Sequence, residues 1–148
     1  MNPSHRSDRD GPPDTGELVM ALARRVRRAY AEALSEWHVT PSQSRALRVL
    51  SGSPGGMRPS VLAEELRIAP RSATEVADAL VGRGWVARDP DPTDRRATTL
   101  TLTDAGRELV DRIDGVRRRV SEEVLDVLPE AQRRTLHEIL LVVVGEDQ

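Results

Sequence analysis

Two short runs in this chain carry hydrogen-bonding groups in patterns suited to recognising another molecule. The first is Arg71, Ser72, Thr74 and Glu75, within five residues of one another; the second is Asp94-Arg95-Arg96. A guanidinium offers forked N–H donors that match phosphate oxygens or the paired acceptors on a guanine edge. Ser and Thr hydroxyls serve either kind of partner, and Glu accepts from cytosine or rejects a partner that has no donor. Bond-making chemistry has no comparable signal. His5, His38 and His137 are scattered without metal-ligand spacing, and there is no Cys, so neither a zinc site nor a thiolate nucleophile is expected. No nucleophile elbow or glycine-rich phosphate loop is present, and Gly82-Arg83-Gly84 is too short to cradle a phosphate. The chain reads as a binder, with no enzymatic activity, metal or cofactor expected.

The elements that must hold these two runs lie between Pro59 and Thr103. Val61, Leu62, Ala63 and Leu66 recur at helical spacing, behind a proline suited to the first helical position. A break at Ile68-Ala69 precedes Pro70, which opens a second helix. There Ala73, Val76, Ala77 and Leu80 form an apolar stripe, so Arg71, Thr74, Glu75 and Asp78 fall on the opposite side, with Ser72 beside them in the first turn. Gly82 and Gly84 end the helix. Two helices across a short turn, the second with a polar face, make a helix-turn-helix, and such a face fits a DNA major groove.

The period then changes from helical to two. Trp85 to Arg88 is short and β-compatible, and Thr98 to Thr103 alternates polar and apolar as a half-buried strand does. Asp89-Pro90-Asp91-Pro92-Thr93-Asp94 between them is turn chemistry. The result is a hairpin with arginines near its tip. If the tip is extended, Asp94 and Arg96 share a side, so an ion pair between them is expected to aim Arg96 into a minor groove. Arg95 is left for phosphate or solvent.

The run GWVARDPDPTDRRATTLTLTDAG resembles the MarR family of dimeric bacterial transcription regulators. The resemblance rests on Arg83-Gly84-Trp85-Val86, Arg88, Asp94-Arg95-Arg96 and Leu102-Thr103-Asp104-Ala105-Gly106. It is most specific in the hairpin and extends in length and pattern from Leu18 to Val144. It implies a mainly α (α+β) fold, a winged helix-turn-helix with long N- and C-terminal dimerisation helices. It also implies a very short strand at Met57-Arg58 beside the wing, double-stranded DNA as a partner, and a second copy of the chain as another. The family commonly binds small aromatic or anionic effectors between the dimer helices and the winged domain. By position the candidates here are Tyr30, Trp37, His38 and Arg45.

The remaining sequence agrees with that frame. With 148 residues, 2% aromatics and no Phe, the chain is one domain with a core of Leu, Val and Ala. Residues 1–16 read as a disordered arm and 17–148 as a single regulator domain. Its DNA-binding part spans about 40–103, and helices 17–37 and 104–145 serve dimerisation. Leu18, Leu22, Val26, Tyr30, Leu34 and Trp37 stripe the first helix; Thr40-Pro41-Ser42-Gln43 is a capping box opening the next. Thr103 caps a long helix striped by Leu109, Ile113, Val116, Val120 and Val124, in which Gly115 would permit a bend or a close helix approach. After Pro129 the last helix ends in Leu140-Leu141-Val142-Val143-Val144, apolar nearly all round and therefore expected to be buried on more than one side. No membrane span or signal peptide is evident, so a cytoplasmic protein is expected. A net charge of −2 runs against the basic balance usual in DNA binders, unless the acidic residues sit away from the wing. The competing reading is a winged-helix protein-interaction module that leaves DNA alone. The hairpin arginines favour a sequence-specific DNA-binding regulator, a homodimeric repressor on a near-palindromic site that an effector can release.

Overall fold

Capping residues set the helix boundaries in the computed structural model, which describes residues 11–94 and 96–145. The first helix, α1 (Thr15–Ser35), begins two residues before the expected Glu17, because Asp14 and Glu17 form a capping box. The apolar stripe marks where the helix packs, and the cap marks where it starts; only the second fixes the boundary. Met1 to Asp10, most of the expected arm, lie outside the described residues. Leu22, Val26, Ala29, Tyr30 and Ala33 of α1 pack on Val116, Val120 and Val124 of α5 (Asp104–Leu125), forming a two-helix strut.

The winged body hangs on that strut. Helix α2 (Pro41–Ser51) starts with the expected Thr40/Gln43 capping box. Helix α3 (Pro59–Leu66) ends on Arg67, whose φ of +52° makes it a left-handed cap, one residue ahead of the expected break. Helix α4 (Pro70–Gly82) buries Ala73, Ala77 and Leu80. The core joining these elements is aliphatic: Leu34, Leu47, Leu50, Leu62, Leu66, Leu80, Leu100 and Ile113 are all buried.

Strands β1 (Val86–Pro90) and β2 (Thr98–Leu102) pair antiparallel, from Val86 opposite Leu102 to Pro90 opposite Thr98. Pairing continues two residues into the proline-rich run. Pro90 can close β1 because a strand end on a sheet edge does not require its N–H. On the other side of β2, Met57 makes the anticipated bridge to Leu100, with N···O distances of 2.9 and 2.8 Å. Gly56 leads into that bridge at φ +84°, where a Cβ would collide with Thr99 and Thr101. Thr103 caps α5 through the Gly106 N–H at 3.1 Å, and Gly106 lies so close to the Trp85 carbonyl that no Cβ fits. The root of the wing and the start of α5 are thus packed main chain to main chain.

Helix α5 runs through Gly115, where a Cβ would meet open space within one copy. Helix α6 (Glu130–Val144) buries none of its residues within the chain, and Val142 is 83% exposed. Leu18, Val19 and Met20 of α1 are also exposed. The apolar ends of the chain are therefore uncovered in one copy. No helix among the described residues is long and apolar enough to cross a membrane.

Candidate nucleic-acid interface

The exposed side of α4 carries all four residues expected there. Arg71, Ser72, Thr74 and Glu75 are solvent-facing, while Ala73 and Ala77 turn inward. Arg71 Nε donates to Glu75 Oε1 at 3.2 Å, a pair one turn apart, with Arg71 91% exposed. The Thr74 hydroxyl donates back to the Pro70 carbonyl at 3.0 Å. Asp78 continues this stripe and accepts from Arg88 of β1 at 2.6 Å, so the foot of the wing stands against the polar face of α4.

The tip of the wing departs from expectation. Asp94 Oδ1 accepts from the Arg96 backbone N–H at 3.0 Å, and among the described residues no Asp94–Arg96 ion pair forms. The reason is conformational. Ala97 N–H donates to the Asp94 carbonyl at 2.9 Å, which folds the chain back between those two residues and takes Asp94 and Arg96 out of the extended geometry that would put their side chains on one side. Arg96 is exposed, and Arg95 lies outside the described residues.

What holds the wing loop is Asp91, for which the sequence predicts only a turn. Asp91 is 8% exposed, and its Oδ1 accepts from Thr93 N–H (2.8 Å), the Thr93 hydroxyl (2.7 Å) and Asp94 N–H (3.1 Å). Its Oδ2 accepts from Arg58 Nε at 2.7 Å and, more weakly, from Thr99 at 3.4 Å. The Arg58 guanidinium, then the Thr93 hydroxyl and amide, hold the Asp91 carboxyl well below the usual carboxylate range, against the opposing effect of burial. Arg58 is raised in turn by the same hydrogen bond and charge. The Asp91-x-Thr93-Asp94 spacing is a legible Asx turn. Arg58, 33 residues upstream, leaves no local signal.

The effector candidates do not converge. The Tyr30 hydroxyl is hydrogen-bonded at 2.5 Å to buried Ser44, tying α1 to α2. Trp37, half-buried, lines an open cleft of about 350 Å³ with Trp85, Glu108, Leu109 and Arg112; Tyr30, His38 and Arg45 are not among its walls. His38 is exposed at φ +55°, and its carbonyl accepts from Arg83, whose guanidinium also sits 4.9 Å from the Trp85 ring centre. Arg45 reaches the Glu65 carbonyl at 3.5 Å.

Comparison with known proteins places this architecture. A profile described as MarR family matches residues 39–97, the helix-turn-helix and most of the wing. An HTH-type transcriptional regulator of Mycobacterium tuberculosis is 32% identical over 90% of this chain and 92% of its own length. The HTH-type transcriptional repressor MdtR of Bacillus subtilis is 28% identical over 77% of this chain and 73% of its own. A crystal structure of a M. tuberculosis MarR family protein in complex with DNA superposes with a TM-score of 0.76 at 28% identity, covering 90% of this chain and 100% of that one. The same protein has been solved with salicylic acid, at a TM-score of 0.70 and 30% identity over 90% of this chain and 98% of that one. The helix-turn-helix with its exposed polar face on α4, the wing braced against it and these relatives lead to one assignment: the chain belongs to the MarR family of DNA-binding, winged helix-turn-helix transcriptional regulators.

Proposed function

We propose that the protein acts as a homodimeric repressor on a nearly palindromic operator, with α4 in the major groove and Arg96 of each wing in the adjacent minor groove. The observation that carries the reading is the Arg88–Asp78 contact of 2.6 Å, which braces the wing beside the exposed stripe of Arg71, Thr74 and Glu75. Helix face and hairpin can then engage one stretch of duplex together. In this reading Arg71, Ser72, Thr74 and Glu75 meet base edges or phosphates, Arg96 reads minor-groove shape, and Arg95 faces phosphate or solvent. Two-fold pairing is supported by the uncovered apolar residues of α1 and α6. Repression is the activity in the name of the B. subtilis relative. Release by a small aromatic or anionic effector is supported by the salicylic acid complex of the mycobacterial neighbour, with the Trp37 cleft as the place to look.

Selection of bound sequences from random duplexes tests the proposal. A dimer should enrich inverted repeats with half-site centres roughly one helical turn, ~10 bp, apart. Affinity for the selected duplex should fall steeply with salt, as counterions are released from phosphates. Enrichment of a single unrepeated motif would overturn the dimeric reading. No enrichment would leave the wing a protein-binding device.

A further inference from the structure

We infer that Arg58 is a positioning residue for DNA reading: it latches the wing loop to the start of α3 through Asp91, and so fixes where Arg96 is presented. The inference rests on the proposed minor-groove role of Arg96 and adds a residue outside both the recognition helix and the wing.

Arg58 stands immediately before α3, in the residue that caps it, and makes no side-chain hydrogen bond to the helix. Its guanidinium turns instead to the loop, with Nε 2.7 Å from Asp91 Oδ2 and a second nitrogen 3.4 Å from the Thr93 hydroxyl. From Asp91 the hydrogen bonds run unbroken to the tip. Asp91 Oδ1 accepts from the Asp94 amide, Asp94 Oδ1 accepts from the Arg96 amide, and the Asp91 amide donates to the Ala97 carbonyl at 3.0 Å. Thr93, Asp94 and, through Asp94, Arg96 are thus tied by one carboxylate to the residue that opens α3. Among the described residues the hairpin is also held to the body by the Met57–Leu100 bridge on β2 and the Arg88–Asp78 pair on β1, which lie level with each other along the strands and do not reach the loop. Without Arg58 the loop loses its anchor, and the turn is left to the Thr93 and Asp94 bonds to an Asp91 carboxylate that is itself released, so it opens more often. An unanchored loop must be ordered at the moment of binding, a cost that pre-organisation removes.

The test is a double-mutant cycle in the full-length protein on the selected operator. Arg58→Gln should weaken binding about tenfold with helix content unchanged, and less than about twofold when Arg96 is already Ala, because the latch acts through that side chain. Arg58→Lys, which keeps a charge able to reach Asp91, should restore part of the loss. Amide hydrogen exchange at Thr93 and Asp94 should be faster in Arg58→Gln, as expected of a released loop. Equal losses in both backgrounds would overturn the inference and mark Arg58 as a direct phosphate contact, with a matching drop of about one unit in the salt slope. Unchanged exchange at Thr93 and Asp94, or undiminished affinity where Arg96→Ala is impaired, would also overturn it. An Arg96→Ala protein that binds as well as the parent would remove the wing reading first and the latch with it.

Discussion

Asp94 holds Arg96 by its main chain: the Asp94 carboxylate accepts the Arg96 amide at 3.0 Å, and among the described residues it makes no ion pair with the guanidinium. The acceptor atom is therefore what matters at position 94, and the charge is secondary. Asp94→Asn keeps an acceptor oxygen at the same place and should hold operator binding within about threefold of the parent, whereas Asp94→Ala loses the turn bond, worth roughly 1 kcal/mol. Arg96→Ala should weaken binding more than either, lower the salt slope by about one unit and leave the thermal midpoint nearly unchanged. Anisotropy titrations at several salt concentrations read all three. Equal loss from Asp94→Asn and Asp94→Ala would restore the ion-pair view.

On α4 the Arg71–Glu75 pair is exposed, so it adds only about 0.2–0.5 kcal/mol to folding. Its interest lies in binding. Arg71→Ala should cost about 1–3 kcal/mol on the operator and relax preference at one base pair if the side chain reads an edge. Uniform loss across sequences would identify a phosphate contact. Glu75→Gln releases Arg71 from its partner and removes a negative charge near phosphates, so it should raise non-specific affinity. A Glu75→Gln protein with lower affinity for mixed DNA would contradict that placement.

Asp91 makes the wing sensitive to acid in a predictable direction. Its carboxyl is held below the ordinary value, so its contribution is complete above the unfolded-state pKa of about 3.9 and is lost as pH falls from there towards the folded value. Melting curves should therefore show no Asp91-linked change between about pH 5 and pH 7. Below about pH 4 the parent should lose stability more steeply than Arg58→Gln, which has already surrendered the partner that depresses the carboxyl. Identical acid limbs in the two proteins would show that the contact is not formed in solution.

The elements legible in the sequence were those specified by neighbours. Thr40 with Gln43, Thr103 before Gly106, and the prolines opening α2, α3 and α4 are signals a few residues long, and the structure uses each of them. The alternation from Thr98 to Leu102 likewise gave β2, although neighbouring Thr99 and Leu100 are both buried. Arg58 with Asp91 and Arg88 with Asp78 could not be read, because those partners are brought together by the packing of α3 and α4 beneath the hairpin. The Asp94–Arg96 expectation failed for a related reason. Period-two reasoning assumes an extended backbone, and the hydrogen bonds of Asp91 turn the chain at that point.

Gly106 tests how tightly the wing is seated. Its α-carbon faces the Trp85 carbonyl with no room for a methyl group, and the Thr103 hydroxyl fastens the same junction by donating to the Gly84 carbonyl at 2.6 Å. Gly106→Ala must displace backbone, which does not yield as a flexible side chain would, so a loss of about 1–3 kcal/mol is expected. Denaturant melts of Gly106→Ala beside Gly115→Ala separate this from helix propensity. The alanine at 115 meets open space and should stabilise by up to ~1 kcal/mol if the site is exposed in the assembly. Two equal shifts would mean that the Trp85 junction is loose.

The last prediction concerns the uncovered apolar residues of α6. Ile139 and Val142 are 52% and 83% exposed in one copy, next to Glu138 and Val143 on an almost purely apolar patch. If that surface faced water in the working protein, charging it would alter stability by no more than about 0.5 kcal/mol, as at ordinary surface sites. If it packs against a second copy, Ile139→Glu together with Val142→Glu places two unpaired carboxylates on each side of the interface, and burying them costs far more than the apolar contacts return. Sedimentation should then show a dimer for the parent and a monomer for the double variant at micromolar concentration. The single-chain core around Leu34, Leu47 and Ile113 includes no residue of α6, so the winged body should stay folded in the monomer while α6, with nothing to pack on, loses helix. On DNA the separated chains should bind a half-site weakly and lose the preference for an inverted repeat, because each winged body reads only its own half. A double variant that remains dimeric and binds the full operator as the parent does would place the dimer contact elsewhere and leave the α6 patch unexplained.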